Sequence, residues 1–238
     1  MRALIIEHDH LSPPGPLEES LKSHGFEIKE IMVVPEHLFK TPNISYQFPS
    51  LAELATFDLI LCLGAPWGAW DEEGIGNWLL PEIKFLTAAM KLNIPILGIC
   101  FGGQLLARIL GGEISQNQRA EIGWTQLDSD HPHLISAGPW FQFHFDQWSL
   151  PPQAVEIARN SFGSQAFLSG KNLALQFHPD ITVASLLGWL ENGGRGKIAE
   201  NGQDPQAIES MTAAEAGASR ERTFMLMENY LREIAQLI

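Results

Sequence analysis

Four short apolar runs, separated by stretches of helical periodicity, restrict the fold of this chain more than any other feature. They are "RALII" (2–6), "EIKEIMVV" (27–34), "DLILCLG" (58–64) and "IPILGIC" (94–100), each bounded by Pro, Gly, Asp or Asn. Among the segments between them, "PLEESLKSHG" and "NWLLPEIKFLTAAMKLN" space their apolar residues for helices. A strand that is apolar on both faces has to be covered on both, and helical crossovers supply both covers, so the expected sheet is mainly parallel within three α/β/α layers. After residue 112 the strand candidates crowd together as "IGWTQLD", "WFQFHFDQW", "AVEIARN", "QAFLSG" and "LALQFH". They predict an antiparallel or mixed portion added to the same sheet. From about Ile181 the chain reads as helix, with "ENGGRGK" (191–197) as a flexible connection. Two helices are expected in the tail, the last docking Phe224, Leu226, Leu231 and Ile234.

With 238 residues, 45% of them hydrophobic, the chain can bury one sizeable core. Its 15 basic and 28 acidic residues give a net charge of −13, which repels phosphate backbones and anionic lipid surfaces. Nucleic acid and membranes are therefore excluded as expected partners. The N-terminal apolar run is too short for a signal peptide. Cys62 and Cys100 sit in apolar runs rather than in a disulfide framework, which points to a reducing, cytoplasmic setting. No phosphate-binding loop and no dinucleotide glycine triplet occurs, so no nucleotide or redox cofactor is expected.

The fourth apolar run ends in "LGICFGGQ" (97–104) and passes straight into "QLLARILGG", a strand, a turn and a helix of the form G-x-C-x-G. Gly98 and Gly102 leave room for a backbone that holds Cys100 in a strained conformation with its sulfur at the sheet edge. The sulfur then lies at a helix N-terminus, where free N–H groups and the macrodipole favour a thiolate. A buried strand cysteine before a Gly-rich loop would be written with the same letters. A base is needed, and "LALQFHPD" ends an apolar strand on His178. Asp180 follows across Pro179, whose fixed φ holds the carboxylate in one relation to the ring. Cys100, His178 and Asp180 thus read as nucleophile, base and orienting acid.

"PILGICFGGQ", "LQFHPD", "LCLGAPWGAWDEE" and "FHFDQWSLPPQAVEIARN" together resemble the signature segments of class I (triad-type) glutamine amidotransferases, similar to stand-alone relatives of the GMP synthase glutaminase domain. The resemblance implies a flavodoxin-like central sheet, a domain over residues 1–192, and a helical extension (193–238) packed on it. It also implies hydrolysis of a glutamine or γ-glutamyl side-chain amide through a thioester on Cys100. The amides of Ala65 and Phe101 would form the oxyanion hole, and Gln104, Phe143 and Phe145 would bind substrate. Ammonia would be released or passed to a separate, synthetase-type acceptor subunit, because the 58 residues after Asp180 are too few for an ATP-using domain. Three residues depart from the family pattern. Asp180 replaces a Glu and is shorter by one C–C bond, about 1.5 Å. Ala65 stands for a glycine, and so does Phe145. A non-catalytic binding module of the same fold, or a related cysteine hydrolase, remains the alternative; Phe101 occupies the place where that hydrolase branch carries a histidine.

The histidine pairs "HDH" (8–10) and "HPH" (131–133) read as solvated loop residues, and no metal site is assigned. His144 and Asp146 read either as a structural pair or as substrate contacts. Trp67, Trp70 and Trp78 read as core or pocket wall, and Cys62 as a small core residue.

Overall fold

A computed structural model describes all residues, 1–238. Along the chain lie β1 (Arg2–Glu7), α1 (Pro16–Ser23), β2 (Glu27–Met32), α2 (Leu51–Leu54), β3 (Leu59–Cys62), α3 (Glu72–Lys91), β4 (Ile96–Ile99) and α4 (Phe101–Ile109). There follow β5 (Ile114–Gln126), β6 (Asp128–Ser129), β7 (Pro139–Trp148), β8 (Val155–Asn160), β9 (Gly163–Ser169) and β10 (Asn172–Leu175). The chain closes with α5 (Val183–Trp189), α6 (Arg195–Glu200) and α7 (Pro205–Asn229).

Eight strands form one sheet in the order β2-β1-β3-β4-β10-β9-β8-β6. The first five run parallel to their neighbours, and the pairs beyond β10 are antiparallel. This is the expected flavodoxin-like order, 2-1-3-4, with β10 as the fifth parallel strand. Strand alternation divides the core cleanly. Ala3, Ile5, Leu59, Leu61, Leu97, Ile99, Leu173 and Leu175 face one apolar layer, roofed by α1 and α7. Leu4, Ile6, Ile60, Cys62, Ile96 and Ala174 face the other, roofed by α3 and α4. The strand "EIKEIM" of β2 is half exposed, as a charged edge strand should be.

Three expectations need correction. Strands β5 and β7 pair with each other as a separate two-stranded ribbon rather than joining the main sheet. The tail holds one long helix, α7, where two were expected: Asp204 caps its start, accepting from the Gln206 N–H at 2.9 Å, and Gly217 alone is too weak a breaker to end it. Leu226 and Leu231 are buried in the core and Ile234 packs on it, but Phe224 is outside that core, half-buried under the Arg220 guanidinium. Finally, "ENGGRGK" is no flexible linker. It forms a wide turn (Leu190–Gly194), kinked at Asn192 and Gly193, that leads into α6 and buries Gly194 against Trp189. No helix is long and apolar enough to cross a membrane.

Candidate functional site

In a parallel sheet, ligands collect beyond the carboxyl ends of the strands. Here β1 runs into His8 and Asp9, β3 into Gly64 and Ala65, β4 into Cys100, and β10 into Gln176 and His178. Cys100 has φ 49° and ψ −104°, which a residue with a Cβ rarely adopts. Its N–H still extends the sheet, donating to the Leu175 carbonyl at 2.7 Å, while its carbonyl already receives the N–H of Gln104 in α4 at 2.9 Å. The glycines around it are required by space. A Cβ on Gly98 would meet the Gly102 carbonyl at 2.5 Å, and one on Gly102 would meet the Cys62 carbonyl at 2.1 Å.

His178 is buried, and its Nδ1 lies 3.2 Å and 3.5 Å from the two oxygens of Asp180. The shorter acid therefore reaches the ring. Burial alone would drive the imidazole towards neutrality, but the Asp180 carboxylate and the Cys100 sulfur outweigh it and raise the pKa to about 10. The loop carrying this pair is pinned from two sides. Thr223 of α7 donates to the Pro179 carbonyl at 2.8 Å, and the His178 N–H donates to the Phe141 carbonyl at 2.8 Å. Trp189 sets its ring edgewise on His178 at 5.0 Å between centroids. Gly64 separates the two halves: a Cβ there would sit 3.1 Å from His178 Cε1 and 3.8 Å from Cys100 Cβ.

These residues open onto a cavity of about 280 Å³, whose aromatic walls include Phe39, Trp67, Trp70, Phe143, Phe145 and Trp189. Ala65, Phe101 and Gln104 line it too, so all eight candidate site residues are brought together except Asp180, which stands behind His178. Gln104 donates to Gln176 at 3.4 Å, and Gln176 reaches the Cys100 sulfur at 3.7 Å. Sequence reasoning gave Gln176 no role, although "LALQFH" puts it two residues before His178.

His144 spends both nitrogens on the protein, facing the Asp146 carbonyl at 2.9 Å and the Glu121 carboxylate at 3.0 Å. Asp146 differs. The residue lines the cavity; one carboxylate oxygen accepts from Trp70 at 3.1 Å, while Oδ1 is buried without a partner. Burial raises its pKa. Lys197 of α6 lines the same cavity, with its ammonium 4.7 Å from the centre of the Phe145 ring.

The reading of "HDH" as solvated is wrong for His8, which is fully buried. It faces Glu82, also fully buried, and the ligand-type atoms of His8, Cys62 and Glu82 lie within 4.8 Å of one another. The signal for Glu82 was present in the sequence. Residues 75, 78, 79, 82, 85, 86 and 89 make one buried helical face of α3, and Glu82 is the carboxylate in that row.

A cysteine held this way where a strand of a doubly wound sheet turns into a helix is the nucleophile-elbow arrangement, so the class is that of α/β proteins built around an elbow cysteine. More particularly, the chain belongs to the class-I glutamine amidotransferase family, whose profile, described as "Glutamine amidotransferase class-I", matches residues 43–186. It is 32% identical over 143 residues to one of the subunits of the glutamine-hydrolysing GMP synthase of Sulfolobus acidocaldarius, covering 56% of this chain and 72% of that protein. It is 26% identical over 230 residues to a γ-glutamyl-L-1-hydroxyisopropylamide hydrolase of a Pseudomonas species, covering 87% of this chain and 74% of the relative. A glutamine amidotransferase structure from Thermotoga maritima superposes with a TM-score of 0.81 at 24% identity, covering 98% of this chain and 99% of that one, and so shares the fold.

Proposed function

We propose that the protein hydrolyses the side-chain amide of glutamine or of a γ-glutamyl compound through a thioester on Cys100. The observation that carries this reading is the elbow: a cysteine at φ 49° beside a buried His178–Asp180 pair. The Cys100 sulfur, as thiolate, attacks the amide carbon, and the developing oxyanion is received by the N–H groups of Ala65 and Phe101. His178, held as imidazolium by its two negative neighbours, gives its proton to the departing nitrogen, so ammonia or an amine leaves. The neutral ring then takes a proton from water, which attacks the thioester and releases glutamate. Asp180 holds the ring throughout.

At the amino-acid end of the substrate, the carboxylate of Asp146 suits an α-ammonium group, and Lys197 suits the α-carboxylate. Gln104 orients the amide, and Phe143 and Phe145 bound the pocket. Residues 1–192 carry the reacting groups, and 193–238 are an extension folded onto them that adds Lys197 to the pocket. No cofactor is needed, and the thiol chemistry suits a reducing, cytoplasmic setting. Ammonia is released or handed to a separate synthetase-type subunit. The test is ammonia and glutamate release from glutamine, asparagine and a panel of γ-glutamyl amides. Turnover of γ-amides that disappears in Cys100→Ala is expected; no release from any of them, with or without a synthetase-type partner, would leave a non-catalytic module.

A further inference from the structure

Beneath the cavity, a buried pair of charged groups faces a main-chain carbonyl, and the reaction above gives it no role. His8 and Glu82 both have fully buried side chains, with His8 Nε2 3.0 Å and 3.2 Å from the two Glu82 oxygens. The other ring nitrogen, Nδ1, lies 3.0 Å from the carbonyl oxygen of Gly64. That carbonyl can only accept, so Nδ1 must carry hydrogen and donate to it. Ionised Glu82 likewise only accepts, so the ring is held as an imidazolium between the two. Burial opposes its charge and Glu82 favours it, with the balance raising the pKa of His8. A buried ion pair contributes little net stability against its desolvation, so its placement calls for a reason.

The reason lies in the peptide bond. The carbonyl of Gly64 and the N–H of Ala65 belong to one planar trans unit and point in opposite directions. Fixing the oxygen on His8 fixes the direction of the Ala65 N–H on the far side, and Ala65 lines the cavity beside Cys100. A cation at the oxygen also polarises the unit and strengthens the N–H as a donor. The same imidazole packs edgewise on Phe101 at 4.7 Å, and Phe101 carries the second proposed oxyanion donor. We propose that His8 and Glu82 are positioning residues that aim and polarise the Ala65 amide towards the oxyanion formed during amide hydrolysis. The inference rests on the proposed reaction.

The experiment compares two reactions of Cys100 in the full chain. Hydrolysis of a γ-glutamyl amide builds an oxyanion, whereas alkylation by iodoacetamide occurs at a saturated carbon and builds none. Glu82→Gln keeps the size and a hydrogen bond but removes the charge. It is expected to lower kcat about 10- to 100-fold, somewhat less than deleting an oxyanion donor outright. KM and the alkylation rate should stay within about twofold of the wild type, since neither reads the oxyanion. His8→Gln, which can still donate to Gly64, should retain more kcat than His8→Leu. If hydrolysis and alkylation fall together, the pair merely supports the fold and the inference is overturned. Equal hydrolysis in wild type and Glu82→Gln overturns it as well. A wild type that alkylates but hydrolyses no amide, with or without a partner, refutes the proposed reaction first and this role with it.

Discussion

The strain at Cys100 can be weighed directly by removing its Cβ. Cys100→Ala and Cys100→Gly both delete the sulfur, so the difference between them isolates the backbone. At φ 49° and ψ −104° a Cβ costs about 1–3 kcal/mol, and glycine escapes that cost. Glycine in turn gives the unfolded chain more freedom, which works against it by about 0.4–1 kcal/mol. Subtraction leaves Cys100→Gly more stable than Cys100→Ala by between about 0 and 2.6 kcal/mol. For a chain of this size, where 1 kcal/mol moves the melting temperature by about 2–4 °C, that is a rise of at most about 10 °C. Urea denaturation followed by tryptophan fluorescence gives the free energies, and calorimetry gives the temperatures. An alanine variant more stable than the glycine one by the about 0.4–1 kcal/mol that the unfolded chain alone supplies would mean that the elbow stores no strain.

Other consequences follow from single contacts. Burial, then Glu30, Asp9 and Glu18, raise the pKa of Glu7 from 4.5 to about 7, so the folded state disfavours its charge and loses stability as pH climbs between those values. Glu7→Gln should therefore stabilise by about 1–2 kcal/mol above pH 7, allowing for solvent at the strand end, and give no gain below pH 4.5; a gain independent of pH in denaturation curves would contradict this. Asp180→Asn should lower the pKa of His178 from about 10, as read from its ring proton resonance. Because the raised value favours the folded state at low pH, the stability lost by that variant should be widest just below pH 6.5 and close as pH rises to about 10; a gap that widens with pH would contradict it. Thr223→Val leaves the Pro179 carbonyl without its donor, costing about 1–3 kcal/mol in denaturation and lowering kcat more than it raises KM. Unchanged stability and kcat would show that α7 does not hold the His178 loop.

What was legible in the sequence was what depends on local pattern. The apolar runs announced the parallel strands, and the glycines around Cys100 announced the elbow, because a Cβ at either flank would collide with main chain. The position of His178 at the end of a strand was enough to find it. Long-range pairings were not legible. His8 sits in a stretch that also contains exposed-looking polar residues, and only β1, β3 and α3 coming together turn it and Glu82 into one buried unit. The ribbon of β5 and β7 has the same alternation as strands of the main sheet, so its separation is a tertiary outcome. The glycines of "ENGGRGK" look like a hinge in isolation, whereas Gly194 is small because a Cβ there would stand 2.6 Å from the Trp189 carbonyl.

The central claim is a covalent one, that the γ-glutamyl group passes through the sulfur of Cys100. Acid-quenched turnover of a γ-glutamyl amide followed by peptide mass spectrometry reads it directly. The expected result is a peptide containing Cys100 heavier by glutamine less ammonia, absent in Cys100→Ala and sensitive to hydroxylamine as a thioester is. Hydrolysis that proceeds with no such adduct, or that survives in Cys100→Ala, would contradict it.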